Sequence, residues 1–109
     1  MSPEALAALA KRLTVACEHA MENGFYIDRA CTPNDWGSVC PLGAAILFER
    51  GCDASHPSAA TAQALLPGVS FEVANAFALA FDGVPVSRKA DKEASELGRR
   101  FRLWYAGAP

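Results

Sequence analysis

Three cysteines and one histidine in the middle of the chain are the residues whose types could bind a metal ion. Cys31, Cys40, Cys52 and His56 are separated by eight, eleven and three residues. Structural zinc sites usually contain two cysteines about two to four residues apart, and these cysteines include no such pair. Only Cys52 and His56 are close enough in the chain to act together. We therefore assign no metal ligand and no cofactor, and a metal-binding or small-ligand module using these four residues is an alternative hypothesis.

Cys40 is the cysteine whose position would favour reactivity. It directly precedes Pro41 at the predicted start of a helix, where free backbone amides favour the thiolate form. A catalytic cysteine also needs a base, and His19 and His56 are the only histidines. Neither histidine belongs to a local motif with Cys40. A small thiol enzyme using Cys40 is a second alternative, but we expect Cys40 to pack as a small residue and we assign no catalytic residue.

The composition is that of one folded domain spanning residues 1–109. Hydrophobic residues make up 51% of the chain and charged residues 20%, which is typical of globular proteins and not of disordered ones. The formal net charge is −2. Because non-specific binding to nucleic acid needs a surplus of positive charge, a nucleic-acid partner is disfavoured.

The beginning of the chain does not have the pattern of a signal peptide. The apolar run at residues 5–10 is short and no basic segment precedes it. No apolar stretch reaches the roughly 18 residues that a membrane span requires. We therefore expect a cytoplasmic protein that does not enter a membrane, in which structural disulfides would be rare.

Capping residues and apolar spacing predict an all-α fold, a single small bundle of four to five helices. Ser2 and Pro3 suit the start of the first helix, and Ser70 and Ser87 are expected N-caps of later ones. Between the first two helices we expect one long ordered loop whose aromatic residues pack on the bundle, briefly extended at residues 25–28. The helices are predicted over residues 2–23, 41–50, 58–66, 71–81 and 87–105.

The segment 71–81 is apolar on nearly every side, which is typical of a helix at the centre of a bundle. We expect Phe77 and Leu79 to lie in the core or in an obligate interface. Alternatively, one face of this helix is a surface for a partner.

The last predicted helix has the most regular apolar stripe in the chain. That stripe consists of Ala90, Ala94, Leu97, Phe101 and Trp104. We expect the carboxylates of Asp91 and Glu93 to be solvated. Cations suit the negative end of a helix dipole, so Arg99, Arg100 and Arg102 are expected to form a solvated face, with a patch for an anion or an acidic partner as the alternative.

Three motifs, CPLGAA, FALAFDG and ELGRRFR, resemble segments of small helical proteins encoded by bacteria and phages. The resemblance implies a helical fold and carries no activity, so no functional residue is transferred from it.

The sequence favours a non-enzymatic protein that binds another macromolecule, as a small regulator, adaptor or inhibitor does. The partner is expected to be another protein, with a homodimer as a further alternative. We expect the binding surface at the loops 28–38 and 52–58, where aromatic residues and arginine stand among polar ones. In the alternative interpretation, Trp36 is buried in the core and the polar groups only form hydrogen bonds that hold the loop on the helices. The predicted binding residues are Tyr26, Asp28, Arg29, Asn34, Asp35, Trp36 and His56.

Overall fold

The computed structural model describes residues 2–28, 38–50, 69–85 and 87–107, and these residues confirm the predicted all-α fold class. None of the helices in these ranges is long and apolar enough to cross a lipid bilayer. The predicted helix at 58–66 and most of the aromatic loop lie outside the described residues. The described elements are α1 (Pro3–Glu22), β1 (Tyr26–Ile27), β2 (Ser38–Val39), α2 (Pro41–Arg50), α3 (Phe71–Phe81), α4 (Lys92–Phe101) and a π-helical turn (Arg102–Ala106).

Helix α1 begins and ends where its sequence predicts. The Ser2 hydroxyl accepts a hydrogen bond from the backbone N–H of Ala5 at 3.1 Å, and Pro3 occupies the first turn, where no N–H is needed. After the C-cap residue Asn23, Gly24 adopts a φ of +86°, a left-handed conformation that favours glycine. The buried face of α1 consists of Leu9, Leu13, Ala16, Cys17 and Ala20.

Two very short strands hold the segment after α1 against the start of α2. They pair in parallel, with Tyr26 opposite Ser38 and Ile27 opposite Val39. The backbone N–H of Asp28 donates to the carbonyl of Val39 at 3.0 Å. Because Ile27 and Val39 are buried, this pair belongs to the core between α1 and α2. The extended conformation predicted near residue 26 is confirmed.

The hairpin of α3 and α4 is the second half of the core. Ser70 caps α3 as predicted, since its hydroxyl accepts from the N–H of Val73 at 3.2 Å. Phe77 lies at the centre of an aromatic cluster, with its ring edge-on to Phe101 at 5.4 Å and stacked on Phe81 at 6.4 Å between centroids. The prediction that Phe77 is a core residue is confirmed.

One face of α3 is not covered, although the segment is apolar nearly all round. Leu79 is only half-buried, and Phe71 at the start of the helix is 44% exposed. The expectation of a fully buried central helix therefore holds for the Phe77 side alone. The more exposed face is the one that could serve as the partner surface given as an alternative for this segment, and that role stays a prediction.

Gly98 lets the backbones of α3 and α4 approach closely. A Cβ atom at this position would overlap the carbonyl oxygen of Phe77 and stand 2.9 Å from Cβ of Ala80 and 3.1 Å from the backbone nitrogen of Phe81. Any side chain at residue 98 would therefore push the two helices apart.

The start of α4 differs from the prediction. Ser87 is not its N-cap, because the helix begins at Lys92 and the carboxylate of Asp91 accepts from the N–H of Ala94 at 2.9 Å. Asp91 is therefore not simply solvated. The hydroxyl of Ser87 instead accepts from the N–H of Lys89 at 3.2 Å, which closes a turn over residues 87–90. Serine and aspartate both make local bonds of these kinds, but a carboxylate gains more from the helix dipole.

The end of the last helix also differs from the prediction. Trp104 is 61% exposed, whereas Tyr105 is half-buried with its ring 5.6 Å from that of Phe101. Hydrogen bonds in a π-helix join residues i and i+5 instead of i and i+4. The residue that faces the core therefore comes one position later than the α-helical spacing of the sequence indicates.

Arg102 does not belong to a solvated face with its neighbours in sequence. Its Nη1 atom donates to the carbonyl oxygen of Phe81 at 2.9 Å, at the end of α3. The last carbonyls of a helix lack partners within the helix, so this bond satisfies one of them. Its guanidinium lies where a Cβ atom at Gly83 would be, and Gly83 has a φ of +76°. Arg99 and Arg100 are exposed, as predicted.

The close contact at Gly98 predicts that replacing this glycine with alanine destabilises the protein, although helix propensity alone would predict stabilisation. Alanine favours a helix over glycine by about 1 kcal/mol, yet Gly98→Ala should lower the free energy of unfolding by about 1–3 kcal/mol because it overpacks the core. Urea unfolding followed by circular dichroism measures the difference. The matched control is Arg100→Ala on the exposed side of α4, which should change stability by less than about 0.5 kcal/mol. A Gly98→Ala variant as stable as the parent would refute the contact.

Candidate functional site

The predicted binding surface is described only at its first two residues. Tyr26 is 73% exposed on β1, and Asp28 after it is also exposed. Both therefore have the accessibility that a binding role requires. Whether they meet the other members stays a prediction, because those members lie outside the described residues: Arg29, Asn34, Asp35, Trp36 and His56.

Cys40 lies at the start of α2, as the sequence predicts, and its thiol has a structural role there. The residue is 5% exposed. Its sulfur accepts from the N–H of Gly43 at 3.3 Å, and its carbonyl accepts from the N–H of Ala44 at 2.8 Å. This is the hydrogen bonding of an N-cap residue, in which the side chain satisfies an amide of the first turn.

The metal hypothesis rests mainly on residues outside the described ranges. Cys31, Cys52 and His56 all lie there, so their arrangement around Cys40 stays a prediction. Within the ranges that the structure describes, no group of three or more histidine, cysteine, aspartate or glutamate residues could hold a metal ion.

Cys17 is a buried thiol on the inner face of α1. Burial, together with the smaller effect of the negative charge of Glu18, raises its pKa from an ordinary value of 9.0 to about 12. Both effects disfavour the thiolate, which is the reactive form of cysteine. Cys17 therefore acts as a core residue. Cys17 and Cys40 are both buried and form no disulfide.

An apolar groove lies between the open face of α3 and the turn 87–90, and we call it the α3 groove. Its volume is about 260 Å³. On α3 the lining residues recur at the spacing of one helical face, so a single side of the helix forms a whole wall. Glu72 on this wall and Lys89 on the turn give the rim one charge of each sign. The lining residues are Phe71, Glu72, Asn75, Ala76, Leu79, Ser87, Lys89 and Ala90.

A second, smaller pocket is lined in part by the same turn and shares Ser87 and Ala90 with the α3 groove, and we call it the basic pocket. Its volume is about 140 Å³. Lys92, Ser95 and Arg99 are spaced i, i+3 and i+7, so they share one face of α4. Arg88 joins them from the turn. The lining residues are Ser87, Arg88, Ala90, Lys92, Ser95 and Arg99.

Sequence reasoning missed the basic pocket, and it anticipated the groove only through the alternative that one face of the segment 71–81 is a surface for a partner. It grouped Arg99 with Arg100 and Arg102 because they are adjacent in sequence, whereas the fold places Arg99 with Arg88 and Lys92. The spacing of Lys92 and Arg99 was the available signal. It was obscured because the helix was expected to begin at Ser87.

Comparisons of the chain with protein families, curated proteins and solved structures found no match to any of them.

The raised pKa of Cys17 predicts a loss of stability in alkaline solution. Above about pH 9 the thiol ionises in the unfolded chain but stays protonated in the folded one, so the free energy of unfolding falls as the pH rises towards 12. Replacing Cys17 with Ala should remove this part of the decline. Urea unfolding of the parent and of Cys17→Ala, between about pH 8 and about pH 11, measures it. Parallel stability curves for the two proteins would show that Cys17 ionises equally well in both states.

Proposed function

We propose that the protein is a non-enzymatic binding protein that acts on another protein, as a small regulator, adaptor or inhibitor. The observation that carries this proposal is the α3 groove. Its floor is apolar, its rim is charged, and Phe71 at its edge is 44% exposed. An apolar centre within a polar rim is the usual composition of a protein–protein contact.

The proposed occupant of the groove is an apolar side chain on an amphipathic helix of the partner. A groove of about 260 Å³ has room for one or two such side chains and not for a folded surface. Burying Phe71 and Leu79 beneath that helix would remove their apolar surface from water, which favours association. Glu72 and Lys89 lie on opposite walls, so a partner helix with charges of both signs would be bound in one preferred direction.

Exposed apolar residues elsewhere in the described ranges also support a binding role. Tyr26 and Trp104 are large aromatic side chains with most of their surface in water. Aromatic residues contribute strongly to protein interfaces because they bury a large area with few rotatable bonds. Because Tyr26 is exposed, the proposal includes the predicted loop surface as a second contact surface.

A cytoplasmic location belongs to the proposal as well. Cys17 and Cys40 are buried in the core without a disulfide, and they have a packing role and a capping role respectively. Thiols that contribute to a core in reduced form suit a reducing compartment. The two alternatives from the sequence, a module for a metal or small ligand and a thiol enzyme, would use Cys40. Its hydrogen bond with Gly43 supports the capping role, and its 5% exposure weighs against a reactive one.

Cross-linking at the edge of the groove tests the proposal. A photoreactive phenylalanine analogue would replace Phe71 in one protein and Val84 in another. Val84 is the matched control because it is 47% exposed and does not line the groove. In lysate of the organism that encodes the chain, position 71 should give one defined adduct with another protein, and position 84 should not. Equal labelling from both positions, or adducts with a second copy of this chain alone, would contradict the proposal.

Affinity for the partner identified in this way then separates the groove from the loop surface. Phe71→Ser should weaken binding by about tenfold or more, as expected for an anchor residue, while Val84→Ser leaves it unchanged. Isothermal titration calorimetry on the folded variants measures both. If Phe71→Ser binds like the parent and Tyr26→Ala loses binding, the site is the loop surface and not the groove.

A further inference from the structure

The basic pocket brings three positive charges from two elements together around one small cavity. Arg88 comes from the turn 87–90, and Lys92 and Arg99 come from the first and last turns of one face of α4. A cavity of about 140 Å³ has room for a group of a few atoms. The side chains therefore surround a space with the dimensions of a small ion or of one functional group.

Within the described part of the chain, these charges have no acidic counterpart in the pocket. None of the described lining residues carries a carboxylate. Among the residues that the structure describes, Arg88, Lys92 and Arg99 form no ion pair with an acidic side chain. Like charges held close together destabilise a fold unless a counter-charge is present. The pocket is thus electrostatically suited to an anion.

Asp91 precedes Lys92 in the chain, and its carboxylate is occupied. It accepts from the N–H of Ala94 as the N-cap of α4, and it is not part of the lining. Its negative charge offsets part of the positive helix end, so the anion must be held mainly by the side chains. The Asp91 carbonyl accepts from the buried hydroxyl of Ser95 at 2.8 Å, which fixes the pocket floor.

Ser87 contributes a donor at the pocket wall. Its hydroxyl oxygen already accepts from the N–H of Lys89, which leaves the hydroxyl proton to be donated to a ligand. The pocket therefore offers two guanidinium groups, one ammonium group and one hydroxyl. Guanidinium groups bind the oxygens of phosphate in pairs, and lysine supplies a further point charge.

We infer that the basic pocket is a site for a phosphate group. A phosphate monoester carries a charge of about −1.5 to −2 at neutral pH, so it balances three cations better than the single charge of a carboxylate does. Its tetrahedral oxygens also allow bonds from several directions at once. The inference does not depend on the α3 groove being a protein-binding site, since Arg88, Lys92 and Arg99 do not line the groove.

Nuclear magnetic resonance titration of the whole chain with inorganic phosphate tests the site. At constant ionic strength, the amide signals of residues 87–92, 95 and 99 should shift together and reach saturation. Acetate under the same conditions should shift them weakly. O-phosphoserine should shift the same signals as inorganic phosphate. If O-phosphoserine binds more tightly than inorganic phosphate, the natural ligand is a phosphorylated side chain. If it binds more weakly, the natural ligand is free phosphate. Both results support the site.

Two substitutions and one control make the test specific. Arg88→Gln and Arg99→Gln should each raise the dissociation constant for phosphate by about tenfold, because each removes a charge-assisted hydrogen bond. The control is Arg100→Gln, which removes the same charge from an exposed position of α4 outside the pocket. Its affinity should match that of the parent. Equal losses in Arg99→Gln and Arg100→Gln, shifts spread over the whole chain, or equal shifts with acetate would overturn the inference.

Discussion

The contact of two helix backbones at Gly98 is the constraint on which the rest of the described structure depends. Without a side chain at this position, α4 lies directly against Phe77, Ala80 and Phe81 of α3. The close approach allows the ring of Phe101 to meet that of Phe77 edge-on, which is a preferred aromatic geometry. It also brings Arg102 within reach of the Phe81 carbonyl. The hairpin is therefore held by packing at its centre and by a hydrogen bond at its end.

This hairpin geometry creates the two candidate binding surfaces. Burying the Phe77 side of α3 against α4 leaves Phe71 and Leu79 on the other side. The chain between the helices then returns along α3 and closes a turn at Ser87. Residues of that turn line both the α3 groove and the basic pocket. An apolar surface and a cationic one are thus adjacent because they share one short turn.

The sequence predicted those features that depend on a few neighbouring residues. The caps Ser2 and Ser70 and the capping position of Cys40 are local, and each is found as predicted. One feature required a choice that local patterns do not make. Ser87 and Asp91 are both good capping residues, and in the structure Asp91 caps the helix.

Features set by tertiary contacts were not predictable from spacing. The π-helical turn moves Trp104 into solvent, although α-helical periodicity places it on the apolar stripe. Arg102 satisfies a carbonyl of another helix, 21 residues away in sequence. The basic pocket combines residues of the turn and of α4 that belong to no sequence motif. The apolar groove was foreseen only as an unassigned face of the segment that became α3.

The contact at Gly98 can be observed directly in the unmodified protein. Nuclear Overhauser effects between the Hα protons of Gly98 and the methyl group of Ala80 report their separation. With the backbones in contact as described, these cross-peaks should be among the strongest between α3 and α4. Their absence, in spectra where the Phe77 and Phe101 rings show mutual cross-peaks, would mean that the helices are further apart and that the groove and the pocket do not have the walls described.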